Sequence, residues 1–560
     1  MNSNNFFPKV INRFFAKNQR SKLRILLRAY RKLKVQGKMS QLHDLKGILA
    51  DEKFDQINKQ ASKTLFGASS KNASLVVRQY TFNQLILKHR KFWNFNEAIL
   101  YSLGSGKPVR CPIPKNFQDK LKEKGYKVDT ISCNFQFFIL LLVYFCFGIY
   151  RAFGLIKASK IMNQKSSSKL PLPFAYFHQL SLGNIPYKSD KFFSQTIITW
   201  YAQWQGRSES IKSLHHDVNV ISEKELDDFS VKYIPITKLN IENTKTLIRF
   251  SWWVIKALLI CIKNLFLLRW WTFLLFEQFV QAAIFRYVED SKIAKDYLLP
   301  HNGVFYRPIW TYEAEKRYAR IILYFYSTNN EQPKNIDGYI GPGLAWKLSN
   351  WPIVLVWNKY QEDFIKRSFF SYRIIEIVGP IWFTSYKNKS IKNNFSNKIS
   401  AGIFDSQPFR LSKLVYGAPP HVYSDSKIAI QFLKDTHKVL TENSVVTLHK
   451  RKRDIGKNLD PKYRAVLKTF SGELQQSIDP AVNASDMIDI VDFVICMPFT
   501  SAAVLALEQK KPIIYYDPFG DIQKNDRAAH GIKIIIGIEE LQFWVKDVVS
   551  ELSMFEDNNL

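Results

Sequence analysis

The chain changes character near residue 300. Beyond it, short apolar runs alternate with stretches of helical periodicity, and Gly, Pro, Asn or Ser mark the boundaries. Residues 320–326, 353–357 and 373–378 read as strands. The first is closed by Ser327-Thr328-Asn329-Asn330 and the third by Gly379-Pro380, with a helix near 361–367 before the third. A stretch rich in Lys, Asn and Ser, 386–398, reads as a linker. After it, strands at 399–404 and 445–449 enclose a helix near 426–439. Strands at 491–495 and 513–516 enclose a helix running from Thr500 or Ser501 to about Gln509. Strand, helix, strand in that order predicts parallel βαβ units. Repeated on both sides of a linker, the pattern predicts an α/β fold of two doubly wound, Rossmann-like domains facing a cleft.

Before residue 300 the pattern is helical and more apolar. Phe7, Val10, Ile11, Phe14 and Phe15 fall at helical spacing with Lys9, Arg13 and Lys17 between them. This suits a basic amphipathic helix lying on anionic lipid, or a basic tail without fixed structure. No apolar region followed by small residues marks a secretory signal. Between Asp129 and Arg151 no charged residue occurs, and 137–150 is almost wholly apolar. A spanning helix needs about 20 apolar residues, so this run fits a short spanning or re-entrant helix, or a buried core helix. In 246–287, Lys256, Lys263 and Arg269 interrupt the apolar runs, while Trp252-Trp253 and Trp270-Trp271 flank them. The expectation is a helix lying in the membrane interface, its indoles at headgroup level. The alternative is an aromatic core helix with snorkelling lysines.

Composition sharpens this picture at two points. The net charge of +32 over 560 residues favours anionic partners: nucleic acid, anionic lipid or phosphorylated substrates. Nucleic acid is set aside, because no RRM, KH or helix-turn-helix pattern is present and the aromatics cluster with apolar runs. Five cysteines with no CxxC pair support neither a zinc site nor a disulfide framework.

The candidate chemistry sits at strand ends. Pro498 and Phe499 break the 491–495 strand, and Thr500 and Ser501 place hydroxyls at a helix N-terminus, where free N–H groups and the dipole suit a phosphate. The alternative is an ordinary capped helix. His449-Lys450-Arg451-Lys452-Arg453 directly follows a strand, so His449, Lys450, Lys452 and Arg453 are candidates to neutralise phosphates in the crevice. Tyr516 and Asp517 end the next strand and are candidates for base or ribose contact. A general base deprotonating an acceptor hydroxyl is sought at Glu331, Asp337 or Asp405. No DxD triad stands at a strand end, so no metal site and no cofactor are expected, and cations with helix N-termini carry the charge stabilisation.

Pro498-Phe499-Thr500-Ser501, followed by Lys511-Pro512 and Tyr515-Tyr516-Asp517-Pro518, resembles the bacterial polysaccharide-biosynthesis proteins named for a PFTS motif. The resemblance extends upstream through Phe404-Asp405-Ser406-Gln407-Pro408-Phe409 and Tyr324-Phe325-Tyr326-Ser327-Thr328-Asn329, and it covers the N-terminal half poorly. It implies surface-carbohydrate assembly and similarity to GT-B type glycosyltransferases, with a nucleotide-sugar donor and a lipid- or polymer-linked glycan acceptor. The basic segment ahead of Thr500 and Ser501 is similar to that of capsule transferases and polysialyltransferases. Those show His-Pro where this chain has His449-Lys450, and consecutive acids before a glycine where it has Ile336-Asp337-Gly338. The alternatives are transfer of a phosphoryl-alditol unit from its CDP form, or a non-catalytic partner in glycan assembly. The organisation expected is a basic helical region 1–85, an acceptor-side domain 86–390 carrying membrane-associating helices at about 130–156 and 246–287, a nucleotide-sugar domain 398–545 and a tail 546–560. An anionic membrane surface is the expected partner. The expected location is the cytoplasmic face of the bacterial inner membrane, peripheral or monotopic, with the cytoplasm as the alternative.

Overall fold

In the computed structural model the apolar runs become parallel strands, because each is followed by a chain segment that crosses back over the sheet. The structure describes residues 19–162, 175–180, 214–218 and 241–557, apart from 36–38, 55–56, 88–93, 295, 302–304, 329, 332, 335–337, 340–345, 381–397, 411–424, 453–454, 471–473, 481 and 483. The expected amphipathic segment at residues 7–17 and nearly all of the 386–398 linker lie outside the described residues.

The first sheet contains β1 (Ala175–Leu180), β2 (Leu214–Val218), β3 (Asp296–Pro300), β4 (Arg320–Tyr324), β5 (Asn350–Val356) and β6 (Ser371–Ile377), in the order β2-β1-β3-β4-β5-β6. All neighbours are parallel. The second contains β7 (Ser400–Phe404), β8 (Val446–Lys450), β9 (Gln475–Ile478), β10 (Phe493–Cys496), β11 (Ile513–Asp517) and β12 (Ile534–Ile536). Its order is β9-β8-β7-β10-β11-β12, again parallel throughout. The expected pair of doubly wound sheets is therefore present. Each has a switch point where the strand order reverses, between β1 and β3 in the first sheet and between β7 and β10 in the second. Ligands of such sheets bind outside the carboxyl ends of the strands at that point.

The rest of the N-terminal half is helical, and three of its helices bear on the site's setting: α1 (Thr130–Met162), α2 (Thr244–Phe266) and α3 (Trp271–Tyr287). The apolar run expected near 130–150 is thus the first part of a helix of 33 residues. Among the described residues it is the one helix long and apolar enough to cross a membrane, over Thr130–Lys157. One stripe of it packs against α3. Phe145 stacks on Phe273 with centroids 4.1 Å apart, and Arg151 pairs with Glu277 at 2.5 Å. The single interfacial helix expected over 246–287 is corrected. The chain breaks after Phe266, with Leu268 at φ 57°, and α3 is a core helix. Trp253 and Trp271 are buried in protein, whereas Trp252 faces outward.

Candidate functional site

The second sheet's switch point is bounded by two loops, 405–408 after β7 and 497–500 after β10. They are tied together by Met497 N–H donating to Phe404 O at 2.8 Å and Ser406 N–H donating to Met497 Sδ at 3.2 Å. The PFTS sequence builds the sharp exit from β10. Pro498 supplies a fixed φ and Phe499 sits at φ 62°, while Thr500 N–H closes the turn onto Met497 O at 3.3 Å. A phenylalanine in the left-handed region is strained. Its ring packs edge-on to Tyr515 at 5.9 Å, and Tyr515 OH holds Thr500 O at 3.0 Å. Helix α4 (Ser501–Glu508) follows, with Thr500 at its N-cap. The cap differs from expectation. Thr500 Oγ1 donates backward to Met497 O at 3.0 Å, stiffening the turn instead of binding the helix N–H groups. Ser501 Oγ accepts from Thr328 N–H at 3.1 Å and meets Thr328 Oγ1 at 3.1 Å.

Thr328 belongs to the loop after β4, so the PFTS turn faces the carboxyl ends of the first sheet. His301, directly after β3, lies at that sheet's switch point. Its Nδ1 accepts from Tyr326 N–H at 2.9 Å, and Nε2 lies 3.4 Å from Ser327 Oγ. Burial pushes its pKa down to about 4, so the ring is neutral. Asn358, after β5, meets His530 Nδ1 at 2.9 Å, and burial lowers His530 to about 4 as well. Glu331 is held between Arg367 at 2.6 Å and Arg527 at 3.0 Å. Arg527 also lies over the Tyr339 ring at 3.7 Å, and Lys334 N–H donates to Asp526 Oδ2 at 2.7 Å. These contacts close the cleft between the loops 326–339 and 525–531.

In the same sheet, beyond β7, a basic pocket of about 520 Å³ opens next to β8 and β9. His449, Arg451, Lys457, Arg464, Lys468 and His437 contribute its charge or polarity, and the Phe470 ring stacks on His437 at 3.8 Å. Both ring nitrogens of His437 are buried without a hydrogen-bond partner, and burial with His449 nearby lowers its pKa to about 4. Asp405 links pocket and switch point. It is buried, accepts from Tyr463 OH, and its Oδ2 lies 3.3 Å from His449 Nε2. Burial, with Asp405 adjacent, raises the Tyr463 hydroxyl.

The structure therefore places His449 in the pocket wall with Asp405 against it, and Pro498, Phe499, Thr500 and Ser501 at the cleft with Glu331. Others point elsewhere. Lys450 lies on the opposite sheet face from His449 and donates to Pro480 O at 3.3 Å, with burial lowering it to about 8. Tyr516 OH donates to Asp435 at 2.7 Å, away from the cleft. Asp517 is enclosed, accepting from Phe519 and Ile522 N–H at 3.1 and 2.8 Å. Lys452 is exposed, and Asp337 and Arg453 lie outside the described residues. The sequence reading passed over His301, Thr328, Asn358, Arg527, His530, Arg464 and Lys468. For His301 a signal existed: a histidine directly after Leu298-Leu299-Pro300, the end of an apolar run. Arg464 and Lys468 gave none, since helical cations read as solvated.

Among solved structures, the glycotransferase of kitacinnamycin aligns with 9% identity over 69% of this chain and 93% of that chain, at a TM-score of 0.35. The Methanocaldococcus jannaschii UDP-GlcNAc 2-epimerase, in complex with UDP-GlcNAc and UDP, aligns with 10% identity over 67% of this chain and 92% of that one, at 0.33. A spinosyn rhamnosyltransferase complexed with thymidine diphosphate aligns with 11% identity over 68% and 92%, at 0.32. No curated protein sequence matches the chain. The family described as polysaccharide biosynthesis PFTS motif protein matches residues 253–545, just over half of the chain, and the chain belongs to that family.

Proposed function

We propose that this protein is a GT-B type glycosyltransferase, moving a sugar from a nucleotide-activated donor to a hydroxyl of a growing lipid- or polymer-linked surface glycan. The observation that carries the reading is the placement of the PFTS turn. It starts a helix at the switch point of one parallel sheet, against the strand ends of a second, and the outer strands β8 and β9 of its own sheet carry a basic pocket. In the transfer the acceptor oxygen bonds to the anomeric carbon, the bond from that carbon to the phosphate oxygen breaks, and the nucleotide leaves with the electron pair. The α4 N-terminus and the cations Arg451, Lys457, Arg464 and Lys468 stabilise the leaving phosphates. Because those charges are supplied by the chain, transfer should persist in a chelator. The acceptor proton goes to a carboxylate. Asp337 is the first to test, since Glu331 is paired with two guanidiniums and Asp405 is bonded to Tyr463.

The test is a panel of CMP-, UDP-, GDP- and CDP-linked donors, scored by thermal shift and by transfer of labelled sugar to a membrane fraction. One nucleotide class should stabilise the protein, and Arg464→Gln with Lys468→Gln should weaken its binding at least tenfold. Absence of any shift or transfer overturns the reading. Transfer of an alditol phosphate from a CDP donor assigns the phosphotransferase alternative. A second reading, a non-catalytic assembly partner, is favoured by Ser501 and Glu331 being bonded within the protein. Nucleotide binding without turnover supports it.

A further inference from the structure

The antiparallel pair α1 and α2 leaves a continuous apolar face unpartnered. The helices are tied at both ends. Ile241 N–H, just ahead of α2, donates to Ser159 Oγ near the end of α1 at 3.0 Å, and Trp270, just beyond α2, meets Phe137 edge-on at 5.1 Å. Each helix packs one stripe inward, Phe137, Leu141, Tyr144 and Ala152 on α1 and Phe250, Val254, Ala257 and Cys261 on α2. The opposite stripes face outward. On α1, Phe135 is 67% and Tyr150 73% exposed, with Ile131, Phe138, Phe147 and Phe153 also exposed around the outward half of the helix. On α2, Trp252 is 68% and Phe266 82% exposed, with Ile248, Ile255, Leu259 and Ile262 between them. A soluble monomer rarely exposes so large a contiguous apolar patch.

Charge identifies the occupant. Apart from Arg151, which is paired with Glu277, α1 carries Lys157, and α2 carries Lys245, Arg249, Lys256 and Lys263, while neither contains an Asp or Glu. A second copy of this chain would set these cations against each other. The intervening segment 163–240 has nearly balanced charge and already gives two strands to the first sheet. An anionic lipid surface satisfies both the apolar stripe and the cationic rim. The inward stripe of α1 also fixes the mode. It packs along α3, which carries Glu277, Gln278, Gln281 and Arg286, and a spanning α1 would draw those polar groups into hydrocarbon.

We infer that α1 and α2 form a monotopic docking surface, lying in the plane of an anionic leaflet with their outward faces immersed and Lys157, Lys245, Arg249, Lys256 and Lys263 at the headgroups. This rests on these helices alone and stands or falls separately from the transferase reading.

The experiment is flotation of the full-length protein with vesicles of phosphatidylglycerol and phosphatidylethanolamine, or of phosphatidylcholine alone. The protein should float with the first and at least tenfold less with the second. Ile255→Asp with Leu259→Asp should lower flotation at least tenfold, with an unchanged circular dichroism spectrum and melting temperature because both side chains are outward. A fluorophore on Cys146, the exposed cysteine of α1, should shift blue with anionic vesicles and be quenched by shallow rather than deep brominated lipids. Unchanged flotation of the double variant overturns the proposal, as does deep quenching, which marks a span. A stable dimer in solution that no longer floats overturns it as well.

Discussion

Replacing Ser501 by alanine removes the acceptor of the Thr328 N–H and the partner of its hydroxyl. The expected loss is about 1 kcal/mol of stability. Thr328→Val should lose a similar amount, with the two effects less than additive in a double-mutant cycle read by urea denaturation. Thr500→Val removes the bond to Met497 O and should act on stability alone, leaving nucleotide affinity within twofold. His301 makes a second residue-scale prediction. Its folded pKa, lowered to about 4 by burial, lies below the unfolded value near 6.5. The unfolded chain therefore binds the proton first, and the stability given by the neutral ring is complete above about pH 6.5 and declines as pH falls toward 4. At pH 5 the loss attributable to this group is about 2 kcal/mol. His301→Asn should lose less stability than the parent between pH 7 and pH 5. The sequence displayed Thr500 and Ser501 as hydroxyls at a helix start. It did not display which groups they bond, because Thr328 is 173 residues from Ser501 and nothing local encodes the meeting.

At the scale of elements, α1 and α3 approach closely at Gly148, where a Cβ would meet Phe276 Cδ1 at 2.4 Å and Glu277 N at 2.8 Å. Gly148→Leu should therefore force the helices apart and cost about 1–3 kcal/mol or more. A melting-temperature drop with retained helical content checks it, and an unchanged melting temperature contradicts the contact. The central strands were legible because a strand buried on both faces shows an unbroken apolar run, as Ile321-Ile322-Leu323 and Phe493-Val494-Ile495 do. β1 and β2 were not, because His178 and the His215-His216-Asp217 stretch interrupt any such run. The 246–287 stretch misled for a related reason: aromatic residues at its ends look alike whether they face lipid or protein. Only the packing of Trp271 against Phe66, centroids 5.6 Å apart, separates the two environments.

Across the whole molecule, a small charged cluster joins the Thr328–Ser501, Lys334–Asp526 and Asn358–His530 contacts in closing the cleft. Glu331 bridges Arg367 of the first sheet's side and Arg527 of the second's, and Arg527 rests on Tyr339. Arg527→Ala removes the ion pair and the ring contact together. The variant should open the cleft, seen as an increased radius of gyration in solution scattering, with a loss of about 1–3 kcal/mol for the charge-assisted contacts. A nucleotide donor should restore part of the compaction, whereas an unchanged radius argues that other contacts hold the two sheets. The Thr328 bond to Ser501 has a further consequence for exchange. The Thr328 hydroxyl meets the Ser501 hydroxyl at the helix start proposed to receive a phosphate, so it is a resident competitor for that one group. An incoming nucleotide must displace it and a departing one is replaced by it. Measured affinity is then the difference between two partners of the Ser501 hydroxyl, and removing the Thr328 hydroxyl should tighten the ground-state complex while slowing release of the spent nucleotide.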